Sequence, residues 1–287
     1  MFGGWEMIRV FPRKTNATPD DEKAYFSGPP LWELEDRDVH VSVTFTWDKP
    51  KAGYLAKQWG DQGYNVSVGG PAFGDFGGDF VSGRYVKNGF TMTSRGCNNK
   101  CWFCYVWKRE GSLRELPIVD GWNVIDSNLL GCSDNHIKEV FKMLKRQPER
   151  PIFTGGLEAK LLKPWHVELL KEVRTQRMYF AYDTPDDYEP LVEATKMLWN
   201  GGFNPHDGKC RCYCLIGYPK DTMDRADERM NQVIELGMYP YAMLYRDDKG
   251  ERNSDWMRFQ DSWIIPQAIY RRIKEYKANL PHSGGKR

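Results

Sequence analysis

The amino-acid sequence predicts an α/β fold in which six strand–helix units build a parallel sheet behind a small α/β extension. From residue 89 onward, six apolar segments alternate with helical segments at a spacing of roughly 25–35 residues, as βα units do. The chain has 287 residues, of which 40% are hydrophobic, so a buried core is expected. Six units are too few for a closed eight-stranded barrel. We therefore expect a partial (β/α)6 barrel or an open sheet, with its active site at the carboxyl ends of the strands.

Two regions flank this predicted core. Residues 1–88 are expected to form an irregular, proline-containing arm followed by a small strand–helix–strand extension. The strand is predicted over 39–47, where apolar and polar residues alternate, the helix over 50–62 and a second strand over 64–68. Residues 251–287 are expected to form two short helices and a disordered tail.

The core is predicted over residues 89–250, and local signals mark its helices. Ser133 is a candidate N-cap, Pro164 stands where a first-turn proline belongs, and Thr184 opens a capping-box pattern. The strands of the core are predicted over 89–94, 122–126, 151–155, 178–182, 211–216 and 239–245. This regular alternation supports one parallel sheet.

Composition excludes several classes of protein. A formal net charge of +2 argues against a strongly electrostatic nucleic-acid binder. No apolar run approaches the roughly 18 residues that a membrane span needs, and charged residues interrupt the N-terminus before a signal-peptide core can form. A cytoplasmic protein without a membrane partner is therefore expected. In such a reducing compartment, seven cysteines that cluster along the chain indicate metal binding rather than disulfides.

Three cysteines directly after the first core strand are the strongest functional signal. Cys97, Cys101 and Cys104 lie within eight residues, and Gly96 gives the backbone freedom to wrap around a metal. Thiolates are soft ligands that suit zinc or iron–sulfur clusters. A structural zinc site usually has four ligands, yet no second pair or histidine lies nearby in sequence. A [4Fe–4S] cluster held by three cysteines would leave one iron open.

This C-x3-C-x2-C motif, with an aromatic residue before its third cysteine, resembles that of the radical S-adenosylmethionine (SAM) superfamily, and the resemblance covers about residues 89–246. It implies a partial (β/α)6 radical SAM barrel with a [4Fe–4S] cluster on Cys97, Cys101 and Cys104. It also implies S-adenosyl-L-methionine as second cofactor, with Phe103 beside its adenine. One electron, from a donor such as flavodoxin or ferredoxin, would cleave SAM to a 5′-deoxyadenosyl radical that abstracts hydrogen from a substrate.

The resemblance also implies contacts with the methionine part of SAM. Asp126 and Asn128, at the end of the second core strand, are candidate acceptors for its amino group; the alternative is a plain strand-end turn. Gly155, Gly156 and Glu158 end the third strand and resemble the Gly-Gly-Glu motif of the family, one unit late in the strand order. The alternative is a strand–helix turn with a surface glutamate.

Two further positions resemble family contacts with the nucleoside part of SAM. Asp183 ends the fourth core strand, where it is placed for a ribose hydroxyl, although capping of the next helix would explain the same acidic cluster. Gly217, in the sequence Ile216-Gly217-Tyr218-Pro219, resembles the segment on which the adenine rests. An ordinary loop with glycine and proline would look the same.

The other four cysteines are expected to be buried, inert core thiols. Alternation places Cys210, Cys212 and Cys214 on one face of their strand, where consecutive side chains diverge. A second metal centre with Cys132 stays open as the alternative.

The extension resembles a shrunken remnant of a cobalamin-binding domain, but no cobalamin is expected. His40 follows Asp38 as in the cobalamin motif, yet Val43 occupies the position of the motif's glycine. The extension is instead expected to shield one edge of the barrel or to shape its mouth.

The sequence thus supports two functional hypotheses. The first is a radical SAM enzyme acting on an unidentified substrate, with a nucleotide or RNA among the candidates; a nearly end-to-end resemblance to a bacterial and phage radical SAM group brings no assigned substrate. The second is a non-catalytic iron–sulfur or zinc protein that senses redox state or transfers electrons. A bacterial ferredoxin motif would need a cysteine where Trp107 stands.

Overall fold

The computed structural model describes residues 7–75, 78–247, 250 and 253–279 and contains two parallel sheets. Six strands from the second part of the chain form the larger sheet, and four strands from the first part form the smaller one. All pairings within these two sheets are parallel, and helices connect most of the strands. The predicted α/β class is therefore confirmed.

The smaller sheet belongs to the first part of the chain, residues 7–88, which we call the N-terminal unit. Its strands, in the spatial order β2-β1-β3-β4, are β1 (Ile8–Val10), β2 (Ala24–Tyr25), β3 (Asp38–Ser42) and β4 (Asn65–Gly69). Helix α1 (Lys49–Asp61) connects β3 to β4, and its Trp59 shares an apolar cluster with Val39 and Val41 of β3.

The presence of β1 and β2 corrects the prediction of an irregular arm. A buried arginine, Arg9, occupies the middle of the three-residue strand β1 and obscures its apolar pattern. The guanidinium of Arg9 donates to the carbonyl oxygen of Gly83 over 2.7 Å and forms an ion pair with Asp21. Burial of this charge is tolerated because both partners satisfy it. These partners are 12 and 74 residues away in sequence, so a local pattern does not reveal them.

The larger sheet contains all six strands predicted for the core, side by side in sequence order. Its strands are β5 (Phe90–Thr91), β8 (Asn123–Val124), β9 (Ile152–Phe153), β10 (Arg177–Ala181), β11 (Cys210–Ile216) and β12 (Tyr239–Leu244). Strands β6 (Ser94–Arg95) and β7 (Arg114–Glu115) form a separate antiparallel pair after β5. Within the described part of the chain, the edge strands β5 and β12 do not pair, so the sheet is open.

Several strands are shorter than predicted, and in two of them the chain turns into another element. The segment predicted over 89–94 leaves the sheet after β5, since Ser94 pairs with β7 instead. The segment predicted over 39–47 ends at Ser42, and a short 3-10 helix at Thr46–Asp48 then leads into α1.

Helices follow the strands, and the predicted start signals are present. Ser133 accepts the N–H of His136 at the start of α3 (Asp134–Leu144), Pro164 is the first residue of α4 (Pro164–Glu172), and Thr184 forms a capping box with Asp187 before α5 (Tyr188–Asn200). The remaining helices are α2 (Val106–Glu110), α6 (Met223–Glu235), α7 (Ser254–Ile264) and α8 (Pro266–Asn279). None of the helices in the described ranges has the length and apolar character required to cross a bilayer.

The main apolar core lies between the larger sheet and its helices. Along β11, buried and half-buried residues alternate, so Cys210, Cys212 and Cys214 face this core, and Cys132 joins the same cluster. Burial raises the pKa of Cys132 to about 11 and that of Cys210 to about 12. These four residues are thus buried thiols, as predicted.

The opposite face of the larger sheet has an aromatic surface. Tyr179 and Tyr213 stack with ring centroids 4.4 Å apart, and Tyr241 meets Tyr213 edge-on at 5.7 Å. Since parallel crossovers are right-handed, the sequential strand order places the connecting helices on the other face. The aromatic face therefore stays free of them.

Candidate functional site

The three-cysteine motif lies on a loop whose base is fixed by the β6–β7 pair. The N–H of Cys97 donates to the carbonyl oxygen of Gly111 over 3.1 Å and extends this pairing. Gly96 has φ of +80°, and a Cβ atom there would collide with the carbonyl oxygen of Ser112. Only glycine fits this position. The backbone freedom predicted for Gly96 therefore lets the two ends of the cysteine loop approach each other.

The three thiols are partly exposed, and the loop backbone organises them. Cys97 Sγ accepts hydrogen bonds from the backbone N–H of Asn99 at 3.4 Å and from Asn128 Nδ2 at 3.6 Å. The carbonyl oxygen of Cys101 accepts from Cys104 N–H at 3.1 Å and from the Trp107 indole at 2.9 Å. These bonds turn the loop back on itself between its second and third cysteines.

Burial shifts the titration of two of the three loop thiols. Burial, followed by the charges of the neighbouring thiols, raises the pKa of Cys101, and burial raises the pKa of Cys104. Among the described residues, no three His, Cys, Asp or Glu side chains already converge as metal ligands. The fit to a metal centre therefore depends on the chemistry of three adjacent thiols and on N–H donors to the Cys97 sulfur, which suit an iron–sulfur cluster.

Asn128 and Glu158 come together beside the cysteine loop. Asn128 is buried, and its Nδ2 donates to Glu158 Oε2 over 2.6 Å. Asn128 Oδ1 is buried too and has no hydrogen-bond partner among the described residues. A buried acceptor without a partner costs about 1–3 kcal/mol, so this atom is a candidate contact for a ligand N–H. Such a contact fits the amino group of SAM.

Asp126 is held by hydrogen bonds from the chain that enters the cysteine loop. Its carboxylate accepts from the N–H and hydroxyl of Thr93, at 2.7 and 2.6 Å, and from the Ser94 hydroxyl at 2.7 Å. The residue is fully buried, and burial raises the pKa of the carboxyl. Asp126 therefore anchors the chain that enters the cysteine loop, and its predicted contact with the SAM amino group stays a prediction.

The two glycines of the Gly-Gly-Leu-Glu segment have a structural explanation. A Cβ on Gly155 would collide with the carbonyl oxygen of Asp126, so the ends of β8 and β9 approach closely at this point. Gly156 adopts φ of +94° and turns the chain toward Glu158. The segment thereby places Glu158 beside Asn128. From the sequence alone, these two residues are separate candidates.

Asp183 extends its carboxylate from the end of β10 toward the end of β11. Asp183 Oδ1 accepts the N–H of Leu215 at 3.0 Å. Burial, then the charge of Asp187, raises the pKa of Asp183 to about 7. The helix cap is provided by Asp187, which accepts from the backbone N–H groups of Asp183 and Thr184. The capping alternative therefore applies to Asp187, and Asp183 keeps an oxygen for another partner.

Gly217 begins the loop after β11, and its N–H donates to Asp221 Oδ2 at 2.9 Å. Arg229 holds the same oxygen at 2.8 Å and lies 5.3 Å from the centre of the Tyr218 ring. The buried Asp221–Arg229 ion pair therefore holds the loop that begins at Gly217, the predicted adenine segment.

Aromatic side chains connect the cysteine loop to this segment. Trp102 contacts Phe103, Tyr218 and Tyr245, with ring centroids 5.3, 5.6 and 6.0 Å apart. The loop therefore reaches across the carboxyl edge of the larger sheet to the ends of β11 and β12. Sequence reasoning missed Tyr245, although its position directly after the last core strand was the available signal.

No protein-family profile and no curated protein matches this sequence. One solved structure to which this chain shows some similarity is coproporphyrinogen III oxidase of Escherichia coli, described as a radical SAM enzyme. The similarity has a TM-score of 0.40 and 12% sequence identity and covers 67% of this chain. It covers 51% of the other chain, so this protein spans about half the length of that enzyme.

Proposed function

We propose that this protein is a radical SAM enzyme with a [4Fe–4S] cluster on Cys97, Cys101 and Cys104. The observation that supports it best is the position of the three-thiol loop. It lies at the carboxyl edge of a sequential parallel sheet, next to the unpartnered oxygen of Asn128. Parallel-sheet proteins bind ligands at this edge. The open sheet is proposed to be the partial (β/α)6 barrel of that family.

When bound, the cluster and SAM together supply one-electron cleavage of SAM and a radical that takes hydrogen from the substrate. Asn128 Oδ1 is proposed to accept an N–H of the SAM amino group. Glu158 orients that amide, because a carboxylate accepts only from the Nδ2 side. Asp183 is proposed to accept a ribose hydroxyl with its second oxygen, while Phe103 and Gly217 border the adenine.

The aromatic surroundings of the loop are proposed to exclude water. Trp102, Tyr218 and Tyr245 form a wall beside the cysteines, and a dry site protects a reactive intermediate from side reactions. An electron donor such as flavodoxin or ferredoxin and a cytoplasmic location are part of the proposal. The substrate in this proposal is a small molecule or a nucleotide.

Anaerobic reconstitution with iron and sulfide tests the proposal. Addition of dithionite and SAM is expected to yield 5′-deoxyadenosine, measured by liquid chromatography and mass spectrometry. Cys101→Ala is expected to lose the cluster absorbance and the product, whereas Cys212→Ala, which alters a buried core thiol, keeps both. Zinc without iron at the three cysteines, together with no cleavage, would support the non-catalytic alternative and contradict the proposal.

A further inference from the structure

A cavity of about 580 Å³ lies between the two sheets. The N-terminal unit lines it with residues that follow its strands, namely Arg13 after β1 and Gly70 after β4, and with Ser42 at the end of β3. The larger sheet adds Met92 after β5 and Ile125 after β8. Ligands of parallel-sheet proteins bind at the carboxyl ends of strands, and here two such edges face one space. Its volume is within the range of small-molecule sites.

The cavity also borders the cysteine loop. Arg95 lines it immediately before the loop, and Arg109 and Glu110 line it at the loop's end. Glu110 accepts from the Arg109 guanidinium at 2.8 Å and from Gly96 N–H at 3.3 Å. A molecule in the cavity therefore contacts the same segment that positions Cys97.

The charges that line the cavity balance. Two of the arginines are paired with neighbours, Arg13 through two bonds of 2.9 and 2.7 Å to the buried Asp48, and Arg109 to Glu110. The full charged lining consists of Arg13, Arg84, Arg95 and Arg109 with Asp48, Asp75, Asp79 and Glu110. Equal numbers of opposite charges favour an occupant without net charge over a polyphosphate or a nucleic-acid strand.

The uncharged part of the lining suits a flat, polar ring. Phe11, Phe45 and Phe80 contribute aromatic rings to the lining, against which a heteroaromatic ring can pack. Two N–H groups of Arg13 bind Asp48, and a guanidinium has five, so others remain for the acceptors on a ring edge. Ser42 and a neighbouring threonine, Thr44, add hydroxyls for the hydroxyls of a sugar.

His40 and Tyr85 add a fixed polar pair to the same wall. His40 Nδ1 and the Tyr85 hydroxyl are 2.6 Å apart, and the rings meet edge-on with centroids 5.1 Å apart. This bond holds both rings in place, so the cavity is shaped before any ligand arrives.

We infer that this cavity binds an uncharged nucleoside-type molecule, a heteroaromatic base with a hydroxylated sugar, as the substrate. The binding prediction stands independently, whereas the role as substrate rests on the proposed function. Among the candidate substrates, the balanced charge of the lining favours a free nucleoside over a nucleotide or RNA.

Isothermal titration calorimetry on the full-length protein tests the inference. The probes are adenosine, guanosine, cytidine and uridine, their 5′-monophosphates, and a single-stranded RNA oligonucleotide. At least one nucleoside is expected to bind, with its monophosphate at least tenfold weaker. Absence of nucleoside binding, or tighter binding of the monophosphates or the RNA, would overturn the inference.

Variants locate the binding. Thr44→Trp fills the cavity from its exposed rim and is expected to weaken binding at least tenfold; Lys51→Trp, exposed on α1 and outside the lining, is the matched control and leaves it unchanged. Arg13→Gln is a second variant, which removes a charge from the lining instead of adding volume to it. Circular dichroism is used to check that each variant is folded. Adenosine binding that survives both Thr44→Trp and Arg13→Gln belongs to the SAM site and counts against the cavity.

The two proposals fail separately. Nucleoside binding without 5′-deoxyadenosine formation would keep the cavity and remove the radical chemistry. Formation of 5′-deoxyadenosine without nucleoside binding would support the radical chemistry and contradict the nucleoside site.

Discussion

Single carboxylates near the cysteine loop have different roles because their surroundings differ. Asp126 accepts three hydrogen bonds from Thr93 and Ser94, whereas Glu158 accepts one, from the Asn128 amide that it orients. Asp183 takes a single backbone N–H from Leu215. The sequence identified all three acids as candidates at strand ends. It did not reveal which were already satisfied, because the donors to Asp126 are 32 and 33 residues away.

The raised pKa of Asp183 predicts a pH-dependent stability. The carboxyl titrates at about 7 in the folded protein and near its ordinary value of 3.8 in the unfolded chain. Between these values the unfolded chain releases a proton that the folded protein retains, so the folded state is destabilised progressively as pH rises from about 4 to about 7. Asp183→Asn removes this effect. We expect the variant to gain stability relative to the parent over that window and to keep a constant advantage above it.

Urea denaturation of both proteins between pH 4.5 and 8 measures this difference. Asn204→Ser, an uncharged change at an exposed loop residue, is the control, and its difference from the parent is expected not to vary with pH. A difference between Asp183→Asn and the parent that does not vary with pH would contradict the prediction.

At the scale of elements, the cysteine loop depends on its antiparallel base. Gly96→Ala is expected to distort the loop, because φ of +80° disfavours alanine and the added Cβ meets the Ser112 carbonyl. We expect it to lower stability by about 1–3 kcal/mol and to abolish cluster loading, measured as bound iron per chain.

Gly63→Ala is the matched control for this variant. Gly63 also has a positive φ, +84°, but open space surrounds the position where its Cβ would lie. The control is expected to cost about 1 kcal/mol and to load iron normally. Equal iron content in the two variants would show that the collision at Gly96 does not control the loop.

Elements with strong local signals could be predicted from the sequence, and those held by distant contacts could not. The six core strands and the caps at Ser133 and Thr184 depend on patterns within a few residues. Strands β1 and β2 have no such pattern, since two or three residues do not establish a period and Arg9 finds its partners far along the chain. The juxtaposition of Asn128 with Glu158 likewise depends on how β8 and β9 pair.

At the scale of the whole molecule, the N-terminal unit contacts the larger sheet near both of its edges. It shares the cavity with the ends of β5 and β8, and Trp47 contacts the chain beyond β12. The Trp47 ring lies 5.1 Å from the Arg246 guanidinium and stacks on Phe45 with centroids 5.0 Å apart. The expectation that the extension shields one edge of a barrel or shapes its mouth stays a prediction.

Trp47→Ala is expected to weaken this attachment. Loss of a half-buried aromatic contact should lower the free energy of unfolding by about 1–3 kcal/mol, measured by urea denaturation. Trp32→Ala, at a side chain that is 68% exposed, is the control and should change it by less than about 0.5 kcal/mol. Equal effects of the two substitutions would show that Trp47 does not fasten the N-terminal unit.

The cavity between the sheets has a consequence for how this protein can diverge. Part of its wall belongs to the N-terminal unit and part to the larger sheet, so neither portion alone defines what fits inside. A recombination event that replaced residues 7–88 would leave the thiol loop intact and exchange Phe11, Ser42 and Phe80 together. The proposed substrate preference would then be inherited with the N-terminal unit, while the proposed cluster site would stay with the rest of the chain.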